Sequence, residues 1–212
     1  MSKNDLVVVT GAGGFIGGHL VRELQQRGHS RLRAVDVKPL DEWYQKIPGV
    51  ENLVGDLALL EACRRAAKGA GTIYNLAADM GGMGFIETHK AECMLSVLIS
   101  THMLVAAREA GTERFFYSSS ACVYNGEKQT RPDVTALKEE DAYPAMPEDG
   151  YGWEKLFSER MARHYREDFG IATRVARYHN VYGPDGTYDG GREKAPDEIG
   201  RASCRERVYV LV

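Results

Sequence analysis

Cysteine is scarce in this 212-residue chain and has no pattern. The four residues at 63, 93, 122 and 204 are scattered, which excludes a dense disulfide framework and offers no metal-ligand spacing. No metal is expected, and a reducing, cytoplasmic setting is the default. Charge of neither sign dominates: 27 Lys and Arg stand against 30 Asp and Glu, for a net charge of −3. That balance gives no electrostatic ground for a nucleic-acid partner or an anionic membrane surface. No apolar run approaches the roughly 20 residues of a membrane span. The opening MSKNDLVVVTG enters a strand within a few residues and leaves no room for a signal peptide. Internal repeats and low-complexity tracts are lacking as well. What remains, at 43% hydrophobic and 27% charged, suits one globular domain with a sizeable core.

The chain begins with a strand–glycine–helix sequence. Leu6 to Val9 is a short β-branched run of the kind that forms a buried parallel strand. TGAGGFIG follows at once (Thr10 to Gly17), and Phe15, Ile16, Leu20, Val21 and Leu24 then recur at helical spacing. Glycines 11, 14 and 17 allow a tight turn, a close approach to a pyrophosphate, and close helix–sheet packing, with backbone N–H groups facing the phosphates. LRAVDV supplies a second strand ending at Asp36, nineteen residues past Gly17. A carboxylate there accepts hydrogen bonds from an adenosine ribose and repels a 2′-phosphate, which favours NAD over NADP. A solvated strand-end aspartate is the plainer alternative.

Strands and helices alternate along the rest. ENLVGDL gives a third strand with Asp56 at its end, Leu59 to Lys68 a helix, TIYNLAA a fourth strand, and DMGGMGF a loop. A helix from about Glu92 to Ala110 leads to RFFYSSS, the fifth strand, and ATRVARYHNVYGP contains a sixth. Alternation of this kind predicts an α/β fold, a Rossmann-type doubly wound parallel sheet with helices on both faces. Its ligands sit beyond the carboxyl ends of the strands, where Gly11, Asp36, Asp56, Ser120 and Cys122 all fall.

Two segments carry the chemistry, SSSACVY (Ser118 to Tyr124) and YGWEK (Tyr151 to Lys155). Tyr151 and Lys155 are one helical turn apart on one face. An ammonium beside a phenol favours the phenolate, so the lysine is expected to lower the tyrosine pKa toward the working range of a base. Ser120 is placed to hydrogen-bond the same substrate hydroxyl. Cys122 adds a second acid/base group that simple hydride transfer does not need; a small buried residue at a strand end is the bland reading. Cys63 and Cys93 are read as inert core residues. His179 and Asn180 suit a structural cap as readily as a ligand contact, and glycines around Met80 and Met83 argue for backbone close to a ligand.

Taken together, TGAGGFIG, GDL, NLAA, SSSACVY, YGWEK and HNVYGP resemble the extended short-chain dehydrogenase/reductase superfamily of NAD-dependent sugar-nucleotide epimerases and dehydratases. AADMGGMGF, SSSAC, YGWEK and GGREKAP are similar to the branch that inverts carbons 3 and 5 of GDP-mannose. The resemblance covers about residues 5 to 196. It implies that Gly11, Gly14 and Gly17, with Phe15 and Ile16, hold the pyrophosphate of NAD, Asp36 the ribose, and Asp56 with Leu57 the adenine end. Tyr151 would take the proton of the carbon-4 hydroxyl, and Lys155 would hold the nicotinamide ribose. Cys122 would act as base and Lys194 as acid on opposite faces of the ring. Gly81, Met83 and Gly84 would line the sugar pocket, Arg192 would position the sugar, and Asn180 would meet the nucleotide end. Related proteins commonly dimerise through a helical face like that around Tyr151, so a homodimer fits the resemblance.

The pattern stops near Pro196. Residues 197–212, DEIGRASCRERVYVLV, do not continue it, and EIGRASCRERV reads as an in-frame translation of a sequencing-library adapter. An artefactual tail on a truncated gene is therefore expected, with the smaller substrate domain largely missing and Cys204 outside any functional role. Three readings stay open: an active GDP-mannose-type epimerase in the complete protein, an inactive NAD-binding fragment, and another NAD-dependent sugar-nucleotide epimerase or dehydratase.

Overall fold

A computed structural model describes residues 4–79, 83–129 and 137–186. Its six strands are β1 (Leu6–Thr10), β2 (Leu32–Asp36), β3 (Glu51–Val54), β4 (Ala70–Asn75), β5 (Arg114–Ser120) and β6 (Ala172–Tyr178). All neighbours pair in parallel, in the order β3-β2-β1-β4-β5-β6. The helices are α1 (Phe15–Gln26), α2 (Leu60–Ala67), α3 (Met83–Thr88), α4 (Lys90–Glu109) and α5 (Asp149–Phe169). The expected Rossmann-type sheet is thus the one that forms, and the strand order reverses direction between β1 and β4, where such sheets open a crevice.

β1 shows why these residues choose a strand buried on both faces. Val7 and Val9 pack under α1 with Leu20, Val21 and Leu24. Leu6 and Val8 point the other way, into a larger core with Cys63, Ile73, Met103, Leu104 and Phe115. Side chains alternate along a strand, so a strand covered on both faces needs an unbroken apolar run. The three valines are fully buried.

Two expectations are corrected here. α4 is 20 residues long and, by length and composition alone, apolar enough to cross a membrane, so the reading that no segment approaches a span does not hold. In the fold it packs against α2 and α5 and buries Cys93, Ser96, Ser100, Met103 and Leu104. Part of its apolar content serves that packing, while Met94, Leu95 and Leu98 remain exposed. The loop expected over 79–85 becomes helical at Met83, as α3.

Candidate active site

The crevice at the carboxyl ends of the strands is a cleft of about 870 Å³. Gly11, Gly14, Phe15, Ile16 and Gly17 line it at the start of α1, Asp36, Asp56 and Leu57 beyond β2 and β3, and Ser120, Tyr151 and Lys155 at the far side. Every described residue assigned to cofactor binding therefore faces one space.

Its floor depends on missing side chains. Gly11 has φ +68° and lies against the backbone of Leu76 and Ala77, and a Cβ on Gly17 would collide with the Gly11 carbonyl. Removing both Cβ atoms lets α1 start hard against the turn, with its unpaired N–H groups toward the cleft. Thr10 fixes the facing strand: its hydroxyl donates to Asn75 Oδ1 at 2.9 Å and accepts from the backbone N–H groups of Leu76 and Ala77 at 3.1 Å.

Asp36 accepts from the backbone N–H of Gly13 at 2.9 Å and from that of Lys38 at 3.0 Å, one to each oxygen. The Trp43 indole covers Gly13, where a Cβ would meet the ring at 2.8 Å, and donates its N–H to the Lys38 carbonyl at 2.9 Å. Sequence reading passed over Gly13, Lys38, Trp43 and Tyr44. The signal for Gly13 was present as a fourth glycine, but its use depends on a tryptophan thirty residues away.

At the other end, Ser120 Oγ accepts from the backbone N–H of Cys122 at 3.2 Å, turning the chain sharply after β5. Cys122 is half-buried and packs with Tyr151, Phe85, Ile86 and Cys93 in a small separate cluster, just beyond the lining of the main cleft. Tyr151 and Lys155 lie almost wholly inside. The Lys155 ammonium donates to the Ser118 carbonyl at 3.3 Å and stands 5.5 Å from the centre of the Tyr151 ring.

The expected lowering of the phenol is not the net result. Burial pushes Tyr151 up to about 12; Lys155 pulls it down, while Cys122, Glu154 and Tyr117 push it further up. A nearby ammonium favours phenolate, but desolvation of the charged form outweighs it here. Burial acts against the charged form of Lys155 as well, yet Glu154, Tyr151 and Cys122 hold its pKa above the ordinary lysine value.

His179 lines the cleft, whereas its neighbour Asn180 is exposed and lies off it. Gly81, Arg192 and Lys194 lie outside the described residues, and Met83 and Gly84 are placed by backbone only, in the first turn of α3. Among the described residues no cluster of His, Cys, Asp and Glu has the arrangement of a metal site.

A model of the NAD dependent epimerase/dehydratase family matches residues 7–210. The chain belongs to that family. It is 46% identical over 206 residues to the GDP-mannose 3,5-epimerase of Arabidopsis thaliana, across 97% of this chain and 53% of that protein. It is 47% identical to GDP-mannose 3,5-epimerase 1 of Oryza sativa subsp. japonica, across 94% of this chain and 52% of that protein. It therefore spans about half the length of the curated family members it matches. Among solved structures, the UDP-glucose 4-epimerase of Thermus thermophilus in complex with NAD superposes with a TM-score of 0.74 at 25% identity, over 87% of this chain and 58% of that one. A short-chain dehydrogenase/reductase superfamily protein from Agrobacterium tumefaciens with bound NAD gives 0.70 at 26% identity, over 84% and 50%.

Proposed function

We propose that this chain is the cofactor-binding half of an NAD-dependent sugar-nucleotide epimerase whose substrate is GDP-mannose. The observation that carries the reading is the meeting of Tyr151 with Cys122 beside a glycine-floored dinucleotide cleft, in a chain 46% identical to a GDP-mannose 3,5-epimerase. The residues present fit the cofactor: the cradle at Gly11 and Gly17 admits a pyrophosphate that a Cβ would exclude, and the anchored Asp36 carboxylate presents acceptors to a ribose. Bound NAD would supply a hydride acceptor that later returns the hydride.

The protein's own groups divide the remaining work. Tyr151 takes the proton of the carbon-4 hydroxyl, Ser120 holds that hydroxyl, and Lys155 is the nearby positive charge. Once carbon 4 is a ketone, the protons on carbons 3 and 5 are acidic, and inversion requires removal on one face and delivery on the other. Cys122 suits the first task as a thiolate; Lys194 is the proposed acid for the second.

A second reading is a unit that binds NAD without turning over. The cleft supports it, since the family members that this chain matches are about twice as long. Expressing residues 1–212, measuring NAD binding by fluorescence and following GDP-mannose by chromatography separates the two. Binding with turnover supports the first, binding alone the second, and loss of both overturns the cofactor assignment.

The same family reading includes a homodimer. Met94 and Leu98 on α4, and Trp153 and Phe157 on α5, are exposed pairs four residues apart on two helices that pack together, an apolar face suited to a second copy of itself. Sedimentation at tens of micromolar tests this; a monomer throughout refutes it.

A further inference from the structure

Directly before Lys155, α5 carries a second charged side chain that sequence reading passes over. The Glu154 side chain is fully buried, and that of Lys155 nearly so, at 2% exposure. One Glu154 oxygen accepts from the Tyr117 hydroxyl at 3.3 Å and from Ser158 at 3.2 Å. The other has no hydrogen-bond partner and stands 3.7 Å from the Lys155 ammonium. The ammonium lies between two rings, 5.0 Å from the centre of Tyr117 and 5.5 Å from that of Tyr151. Burying a carboxylate costs several kcal/mol unless an opposite charge compensates it, so a purely structural role would be served better by an apolar residue of similar volume. This carboxylate instead faces the lysine assigned to the reaction.

The groups that act electrostatically on Tyr151 are Lys155 and Glu154 from α5, Tyr117 from β5, and Cys122 from the turn that follows; α3 packs against it through the apolar Phe85 and Ile86, and α4 through the buried thiol of Cys93. Only Lys155 among them is positive, and Glu154 balances it. A neutral Glu–Lys pair leaves a buried phenol with little drive to ionise.

We propose that Glu154 is a positioning residue acting through Lys155: its carboxylate holds the ammonium beneath Tyr151 and balances its charge, so that Tyr151 stays a phenol until a further positive charge enters the cleft beside it. This rests on the proposed function, in which that charge is the oxidised nicotinamide ring; the phenol proton is then released to water. The site thus keeps its base protonated at rest and makes it available when the cofactor is in place.

The test uses the intact chain with 13C-labelled tyrosine and lysine, titrated by NMR without and with NAD+, with Tyr151→Phe assigning the phenol signal. In wild type, Tyr151 is expected to titrate at high pH alone and at lower pH with NAD+. In Glu154→Gln, which preserves shape and an acceptor for Tyr117 and Ser158, the Tyr151–Lys155 pair is expected to lose its first proton at least about one pH unit lower without nucleotide. Glu154→Asp, which keeps the charge, should stay near wild type. Should the Gln variant fail to fold, Glu154→Leu is expected to show the same shift, since buried pairs often tolerate apolar replacement. Unmoved titrations in the neutral variant, or an equal shift in the Asp variant, overturn the role of Glu154. Absence of NAD+ binding to wild type instead overturns the cofactor reading, and leaves the comparison of variants standing.

Discussion

The carbonyl oxygen of Cys122 occupies the space where a Cβ on Gly152 would stand. It also accepts from the backbone N–H of Glu148 at 2.9 Å, at the start of α5. The turn after β5 and the first turn of α5 are therefore pressed together through a glycine, which brings Cys122 beside Tyr151. Inside a helix, Gly→Ala ordinarily stabilises by about 1 kcal/mol. Here Gly152→Ala is expected to destabilise instead, by roughly 1–3 kcal/mol, because the neighbour is backbone. Urea unfolding of the variant checks the sign; a midpoint at or above wild type would show that the turn can yield.

Asp36→Ala should weaken NAD binding and erase discrimination against NADP. Hydrogen bonds to a charged acceptor are worth roughly 1.5–3 kcal/mol, so about tenfold or more in affinity is expected to disappear. Calorimetry with both nucleotides reads this directly. Equal affinities already in wild type would remove the role given to this carboxylate.

In a version carrying the full length of its relatives, Cys122→Ser should abolish inversion while NAD binding persists, since a serine hydroxyl is far too weak an acid to replace a thiolate. Tyr151→Phe should stop the earlier step, with a loss of roughly 10²–10⁴-fold. Oxidation at carbon 4 distinguishes the steps: it should survive only in Cys122→Ser, whereas solvent deuterium is expected to enter the sugar in neither variant. Deuterium incorporation by Tyr151→Phe would mean that another group begins the reaction.

The fold should lose stability in alkali in a way that Cys63 reports. Burial, aided by Asp56, pushes its thiol from an ordinary 9.0 up to about 12, and burial likewise raises Tyr117 and Tyr151. For a group raised on folding, the protonated form is favoured in the native state. Its contribution is complete below about pH 9 and is lost as pH climbs toward 12, where the unfolded chain has already released the proton. Each such group steepens the fall by up to about 1.4 kcal/mol per pH unit. Urea midpoints between about pH 8 and 11 should decline, and less steeply in Cys63→Ala. An unchanged slope would show that this thiol does not titrate differently in the two states.

The strands were legible because each obeys a local rule. β1 is apolar on both faces, β5 matches its expected span from Arg114 to Ser120, and alternation with helices leaves a parallel sheet as the consistent arrangement. The glycines and Asp36 were legible through spacing. What escaped depends on contacts distant in sequence. Trp43 over Gly13 is defined only once the chain has folded; Glu154 stands next to Lys155 in sequence, but its burial against Tyr117 of β5 is set by the fold. The Tyr151–Lys155 pair was readable as a neighbour relation, but its electrostatic balance was not, because the burial that raises the phenol comes from the surrounding fold.

α5 carries one further consequence. At about 1.5 Å per residue, its 21 residues make a rod of roughly 30 Å. Tyr151, Glu154 and Lys155 occupy its beginning. Further along, Glu159 is gripped by Arg177 of β6 at 2.8 and 2.9 Å and by Ser119 of β5 at 2.5 Å, and the Ala162 carbonyl accepts from Thr173. A beam pinned at several points cannot swing at one end alone. The tyrosine therefore stays fixed to the sheet as an anvil stays fixed to its block.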